Sequence, residues 1–375
     1  MSKFKVITLK PILSKKEIDN KEGQYFPESY YTKHNKIVKS NTDVYSIDED
    51  GTKKLLFKFR KNVIPNQICI DAYNALETHA KKNNSNRGAA AGKLKLSKLP
   101  NHVGKITKTD SFRVFYKTKS GKSSRDNISN ISQSNIAGYY DRPDRNNYNK
   151  NTKNNKNNKN TKNTKNTKNT KNTKNTKNTK NTKNTKNTKN TKNTKNTKNT
   201  KNTKKIDIPM CRTTQFTKKN IEKWKNTIPL IKAADNLFKV LVPDRYKIQL
   251  DIANKTPDFQ IAKTAYSTIT INYNWRTAAH CDNGDLDEGF GNLIVLEKSK
   301  SEKPESKESK SSKERKGYMG GYLGFPRWGI CVDVRQGDFL AMDVHEFHSN
   351  TSIIGDGRLS VVCYLRKKMI NCIKK

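Results

Sequence analysis

The chain has 375 residues and a formal net charge of +43, from 77 Lys and Arg against 34 Asp and Glu. Its length allows two average domains, but residues 151–204 consist of Asn, Thr and Lys alone, with Lys at every third position, and such a stretch cannot bury a core. No run of about 18 apolar residues occurs anywhere, which excludes a transmembrane helix, and Lys3, Lys5 and Lys10 interrupt any signal peptide at the N-terminus.

The 18 lysines of the tract leave +25 on the other 321 residues. That excess favours polyanions, through phosphate neutralisation and counterion release; a solvated Asn- and Lys-rich surface of compositional origin explains the bulk charge equally well. The six Cys are scattered, without a CxxC pair. They read as reduced thiols and hence as an intracellular protein, nucleus or cytoplasm left open.

In chain order, residues 1–43 form an N-terminal extension. Val44 to Arg60 alternates apolar and polar side chains around Asp50-Gly51, the pattern of a hairpin. After Pro65, Ile68, Ala72, Ala75, Leu76 and Ala80 recur at helical spacing. Asn86 to Gly92 is a small-residue loop, more simply a turn than a ligand cradle. Ile136 to Asp141 reads as a short strand that stops at the repeat insert, 146–205.

Beyond the insert, Thr217 to Lys232 reads as a helix capped by Thr217 and broken at Pro229, and a second helix, Ala233 to Leu241, ends at Pro243-Asp244. From Tyr266 the text turns to strands: Tyr266 to Trp275, Gly291 to Leu296, Gly320 to Phe325, Gly329 to Val334, Asp338 to Val344 and Leu359 to Arg366. Six short strands between Gly-rich turns imply a sandwich or jelly roll. A second biased segment, 298–316, is almost entirely Ser, Lys and Glu and reads as a disordered loop. Both inserts decorate one folded unit, with residues 44–145 and 206–370 as its two parts.

The chemistry concentrates near the C-terminus. His280-Cys281-Asp282, then His345 and His348, then Arg358 and Ser360 follow in order. On a strand, residues two apart share a face, so His280 and Asp282 can bind one metal; a distal His completes the two-His, one-carboxylate face of non-haem iron(II) oxygenases. His345 and His348 would face opposite ways on a regular strand. His348 is the favoured ligand, with His345 as a supporting residue and the alternative. A buried Arg358 requires an anion, and its fork fits the far carboxylate of 2-oxoglutarate, with Ser360 adding a hydroxyl from the same face.

These residues resemble the TET/JBP family of iron(II)- and 2-oxoglutarate-dependent oxygenases, which hydroxylate the methyl group of thymine or 5-methylcytosine in nucleic acid. The resemblance runs over 206–366. It includes Leu241 to Tyr246, Phe259 to Asp282, Gly289 to Leu293, Gly320 to Pro326, Gly337 to His348 and Arg358 to Tyr364.

It implies an α+β, mainly β fold: a double-stranded β-helix (jelly-roll) core with flanking helices, interrupted by the two disordered inserts. It further implies iron on His280, Asp282 and His348, and 2-oxoglutarate on Arg358 and Ser360. Asp285 stands where relatives hydrogen-bond the target base, and Tyr364 where an aromatic ring stacks on it. Arg366 departs from the base-reading His of animal 5-methylcytosine oxidases, leaving thymine, another base or RNA open. The implied partner is nucleic acid, DNA before RNA, with no membrane. A protein side-chain hydroxylase sharing the same barrel is the rival enzyme, and a non-catalytic basic nucleic-acid-binding protein the rival without chemistry.

Overall fold

The computed structural model describes residues 4–34, 37–124, 127–141, 211–298 and 317–372. The repeat insert 146–205 and residues 299–316 of the second insert lie outside the described residues. Residues 1–140 and 213–375 form one compact unit.

Lys5–Leu9 (β1) opens the chain. Ser14 then caps Lys15–Asp19 (α1) through a reciprocal box with Glu17, and Glu28–Thr32 (α2) and Ile37–Val38 (β2) follow. The expected hairpin is Thr42–Ile47 (β3) and Lys53–Arg60 (β4). Its turn closes where Gly51, at φ +82°, donates to the Asp48 carbonyl. Pro65 precedes Asn66–Ala80 (α3), which buries Ala72, Ala75, Leu76 and Ala80 as the spacing predicts. Val103–Thr109 (β5) and Val114–Thr118 (β6) form a two-stranded sheet of their own, and Ser134–Tyr140 (β7) is the strand expected at 136–141.

Past the insert come Arg212–Thr213 (β8), Gln215–Lys219 (α4), Ile221–Leu241 (α5) and Pro243–Ala253 (α6). Thr214, not Thr217, is the cap of α4; the Thr217 hydroxyl instead accepts from the Gly138 amide at 2.8 Å. Pro229 does not break α5. The helix buries Leu230, Ile231, Ala234 and Phe238 in the core it shares with α3, and that packing outweighs the roughly 3 kcal/mol that an interior proline costs. The helix ends at Leu241 before Pro243-Asp244, as expected, and Pro243 in turn starts α6 at the first helical position, where its missing N–H has no partner to lose.

The remaining strands are Thr268–Tyr273 (β9), Gly291–Glu297 (β10), Met319–Gly320 (β11), Leu323–Phe325 (β12), Ile330–Val332 (β13), Phe339–Met342 (β14), Ser349–Asn350 (β15), Ile353–Ile354 (β16) and Arg358–Tyr364 (β17). The principal sheet carries β1-β3-β4-β14-β10-β17-β9-β7 in that order, and a second sheet carries β15-β12-β13-β2. Alternation along the strands sorts side chains to two cores. Ile294, Phe339, Leu359, Val361 and Cys363 meet the helices; Leu293, Leu340, Met342, Phe57 and Phe59 meet Leu323, Phe325 and Ile330 of the second sheet. Each fully buried side chain of this size contributes about 1.5–3 kcal/mol.

β17 breaks that apolar rule. Its helix-side residues are hydrophobic, but its opposite face presents Arg358, Ser360 and Tyr364, all buried. Beside β7, the Thr214 amide donates to the Gly138 carbonyl at 2.9 Å, so the chain resumes against the strand it left. Cys69, Cys281, Cys331 and Cys363 are free thiols, whereas Cys211 and Cys372 are disulfide-bonded, a departure from the reading of all six as reduced. Sequence spacing does not report which thiols a fold brings within bonding distance. Among the described residues no helix is long and apolar enough to cross a membrane.

Candidate metal and carboxylate site

His280 and Asp282 do not lie on a regular strand. His280 instead forms a single antiparallel bridge with His348, each amide donating to the other's carbonyl at 3.1 and 3.0 Å. The bridge holds the two imidazoles side by side, centroids 4.4 Å apart. The Asp282 amide donates to the Val344 carbonyl at 3.0 Å, which swings its carboxylate between them. Asp282 Oδ1 lies 3.5 Å from His280 Nε2, and Oδ2 lies 3.7 Å from His348 Nε2. One ligand atom from each of the three falls within 4.8 Å of the others, so the set could hold a metal ion.

The outer nitrogens fix the tautomers. His280 Nδ1 is 2.7 Å from the Ala278 carbonyl and His348 Nδ1 is 3.0 Å from the Glu346 carbonyl. A carbonyl only accepts, so each Nδ1 carries the proton and each Nε2 presents its lone pair inward. Burial, with His348 adjacent, pushes the His280 pKa down to about 4 against the pull of Asp282. A neutral imidazole is the form that ligates.

His345 stands outside this set. A turn at 344–346 directs its Nδ1 to Asp343 Oδ1 at 3.3 Å and its Nε2 to within 4.0 Å of Asp287. Hydrogen bonding to Asp343 raises its pKa above the usual histidine value.

Arg358 is 1% exposed, and its Nε and Nη1 have no partner. Burial disfavours its charge, and the neighbouring Tyr318 only partly compensates. The Tyr318 hydroxyl is also buried without a partner. Gly321, at φ +68°, makes the room: a Cβ there would meet Arg358 Nε at 2.8 Å. Unsatisfied buried donors of this kind cost about 1–3 kcal/mol each, more when charged, and a carboxylate would satisfy them. Asn272 Nδ2 donates to Ser360 Oγ at 3.3 Å, which leaves the hydroxyl proton to donate elsewhere. The residues present therefore fit a metal and a dicarboxylate.

Tyr364, Asp285 and Arg366 gather at the other end of β17. The Tyr364 hydroxyl accepts from Thr270 Oγ1 at 3.2 Å. Asp285 bridges Arg366 through the backbone, and its Oδ2 is buried without a partner. Burial, then the charge of Asp282, raises the Asp285 pKa well above the carboxylate range, with Arg366 opposing.

Arg87 is a residue the sequence reading passed over. The loop expected to be a plain turn contains a short 3-10 helix, Gly88–Ala91. Ser129 Oγ pins it by accepting from the Arg87 and Gly88 amides at 3.1 and 3.2 Å, and the Ala278 amide donates to the Ala90 carbonyl. Arg87 Nε donates to the Ser134 carbonyl at 3.3 Å, but its Nη2 is buried without a partner, within electrostatic reach of Asp282, Tyr364 and Arg366. The available signal was a lone Arg embedded in a run of small residues.

Residues 200–367 match the Tet_JBP model, described as the oxygenase domain of the 2OGFeDO superfamily. Thymine dioxygenase JBP1 of Trypanosoma brucei brucei is 36% identical over 163 residues, 42% of this chain and 17% of that protein. Bifunctional helicase and thymine dioxygenase JBP2 of Leishmania major is 30% identical over 168 residues, 44% of this chain and 13% of that protein. This chain thus spans under a fifth of the length of either relative. A solved structure, NgTET1 in complex with 5mC DNA, aligns over 97% of this chain and 94% of that chain with a TM-score of 0.41 and 10% identity, too distant to bear on the site. The similarity to the Tet_JBP oxygenase domain thus lies in residues 200–367, a little under half of this chain.

Proposed function

We propose that the protein is an iron(II)- and 2-oxoglutarate-dependent dioxygenase that hydroxylates the methyl group of thymine in DNA. The observation that carries this reading is the convergence of His280, Asp282 and His348 within 4.8 Å, both imidazoles aimed inward by backbone carbonyls. His280, Asp282 and His348 hold the iron, and Arg358, with Tyr318 and Ser360, takes the far carboxylate of 2-oxoglutarate. Iron so held, with 2-oxoglutarate and oxygen, supplies the oxidant for an unactivated methyl carbon. The two facing sheets are then the halves of a double-stranded β-helix, and 44–145 joins 206–370 in one oxygenase domain.

Thymine is favoured over 5-methylcytosine by Arg366. A carboxyl such as that of Asp285 can pair with the edge of either base, but a guanidinium only donates. It matches the O4 acceptor of thymine and opposes the N4 donor of cytosine. Tyr364 offers the stacking surface for a base taken out of the duplex.

The test is anaerobic loading with iron(II) and 2-oxoglutarate, then oxygen, followed by nucleoside mass spectrometry on DNA containing thymine or 5-methylcytosine. Hydroxymethyluracil that vanishes in Asp282→Ala is the expected product. Succinate release without any modified nucleoside would move the substrate to protein side chains, and absence of both iron and succinate would refute the reading.

A further inference from the structure

Between the Arg87 loop and β7, residues 93–124 carry nine Lys and Arg against a single acid, Asp110. Asp110 is already engaged, accepting from the Phe112 amide at 2.8 Å. The nine cations are exposed, and none forms an ion pair among the described residues.

Their scaffold is the two-stranded β5–β6 ribbon, whose β6 edge is bridged by the following segment at Val114–Ile128 and Lys117–Ser123, and which has a small core of its own around Val114, Tyr116 and Ile128. From Lys105 to Thr109, β5 is exposed on both faces, so nothing in the unit covers it. An isolated strand pair is marginal in water. This one is secured at its base, where Leu94 donates to the Ser111 carbonyl at 2.7 Å and Asn130 Nδ2 donates to the carbonyls of Ala91, Gly92 and Lys93 at 3.0, 3.3 and 2.7 Å. Those carbonyls end the Arg87 loop, whose Ala90 carbonyl accepts from the Ala278 amide at 2.9 Å, two residues before His280. The ribbon is therefore tied to the wall of the site.

A projecting two-stranded ribbon with unpaired lysines has the shape and the charge for a nucleic-acid groove: the major groove, about 12 Å wide, admits a β-ribbon, and phosphates line both of its edges. We propose that the β5–β6 ribbon is a docking arm for duplex DNA, its lysines holding backbone phosphates and its tie to the Arg87 loop setting which nucleotide reaches Tyr364 and Asp285. Phosphate binding by the ribbon stands without the oxygenase reading; presentation of a nucleotide rests on it.

The test compares two full-length variants of equal charge loss. The first converts Lys105, Lys108, Lys117, Lys119 and Lys122 to Gln. The second converts Lys223, Lys225, Lys232, Lys239 and Lys247, exposed on the helical layer, to Gln. Fluorescence anisotropy with a labelled duplex is read from 50 to 300 mM salt. For the ribbon variant the slope of log K against log salt falls by up to about 4.5, at roughly 0.9 for each phosphate no longer neutralised, while the helical variant retains the parental slope. Restoring the five ribbon positions as Arg restores the slope, which separates the effect of charge from that of misfolding. Equal slopes in the two variants overturn the proposal. So does loss of binding to anionic phospholipid vesicles with DNA binding intact, which would make the ribbon a membrane surface. A parental protein that modifies no base but loses its salt slope in the ribbon variant refutes the oxygenase reading and leaves the docking arm standing.

Discussion

The Tyr31 hydroxyl lies 3.4 Å from Ser349 Oγ, so a side chain near the start of the sequence braces the residue that directly follows His348. Tyr31 is fully buried, and Gly324, paired with Ser349 across β12 and β15, has no side chain because the Tyr31 ring fills that space. Tyr31→Ala should cost about 3–5 kcal/mol, as for other large aromatic truncations, and weaken metal binding by loosening His348. Tyr31→Phe, which keeps the ring, should cost no more than about 1.5 kcal/mol. Chemical denaturation and metal titration check both. Unaltered metal affinity in Tyr31→Ala would show that the brace does not reach the site.

The two distal histidines should separate cleanly. His348→Ala is expected to lose bound metal, whereas His345→Ala, whose ring faces Asp343 and Asp287, should lose about tenfold in affinity at most, the low end of what outer residues contribute. Metal analysis after anaerobic gel filtration decides, and a metal-free His345→Ala would reverse the assignment.

Arg358→Met should have opposite effects on stability and on binding. Removing a buried cation whose Nε and Nη1 lack partners should leave the ligand-free protein unchanged or more stable, by up to about 1–4 kcal/mol. Affinity for 2-oxoglutarate should fall at least tenfold. Arg358→Lys should not rescue it, because an ammonium lacks the planar fork. Calorimetric titration of 2-oxoglutarate and thermal unfolding read the two arms, and a large loss of stability in Arg358→Met would contradict the orphaned-cation account.

His280 sets a pH dependence. Its folded pKa, about 4, lies below the usual 6.5, so between those values the unfolded chain binds more protons and stability rises with pH. The contribution is complete above about pH 6.5 and is lost towards pH 4, a swing of roughly 3 kcal/mol. Asp285, with a raised pKa, acts in the opposite sense. The difference between parent and His280→Asn, both with chelator present, isolates the histidine. A pH-independent difference would remove it.

Pro229→Ala should stabilise α5. The substitution restores an amide to an exposed position inside a 21-residue helix and removes part of the roughly 3 kcal/mol interior-proline penalty. A melting temperature raised by several degrees is expected, and a lowered one would mean the proline relieves strain elsewhere.

Much of this was legible where signals are local. Asp50-Gly51 marked the β3–β4 turn, and the spacing of Ala72, Leu76 and Ala80 marked α3. The order of His280, Asp282 and His348 was legible, but the reason they converge was not: strand parity was invoked, whereas a single bridge between His280 and His348 brings them together. Parity could not choose between His345 and His348, since the choice depends on where a turn begins. Pro229 was read by local propensity, which packing against α3 overrode, whereas the helix end before Pro243 was legible. Arg87 and Tyr31 were invisible because their meaning lies wholly in contacts across the chain.

The hydrogen bond from Thr214 to Gly138 has a genetic consequence. A segment whose two ends are fastened together at one spot can gain or lose whole Asn-Thr-Lys triplets in sequence without moving Gly138 or Thr214. Loop-closure entropy grows slowly with length, a doubling costing only about 0.6 kcal/mol. Replication slippage at this repeat therefore meets almost no structural selection, and alleles of this gene should differ in triplet number while Gly138, Thr214 and the residues of the site stay the same.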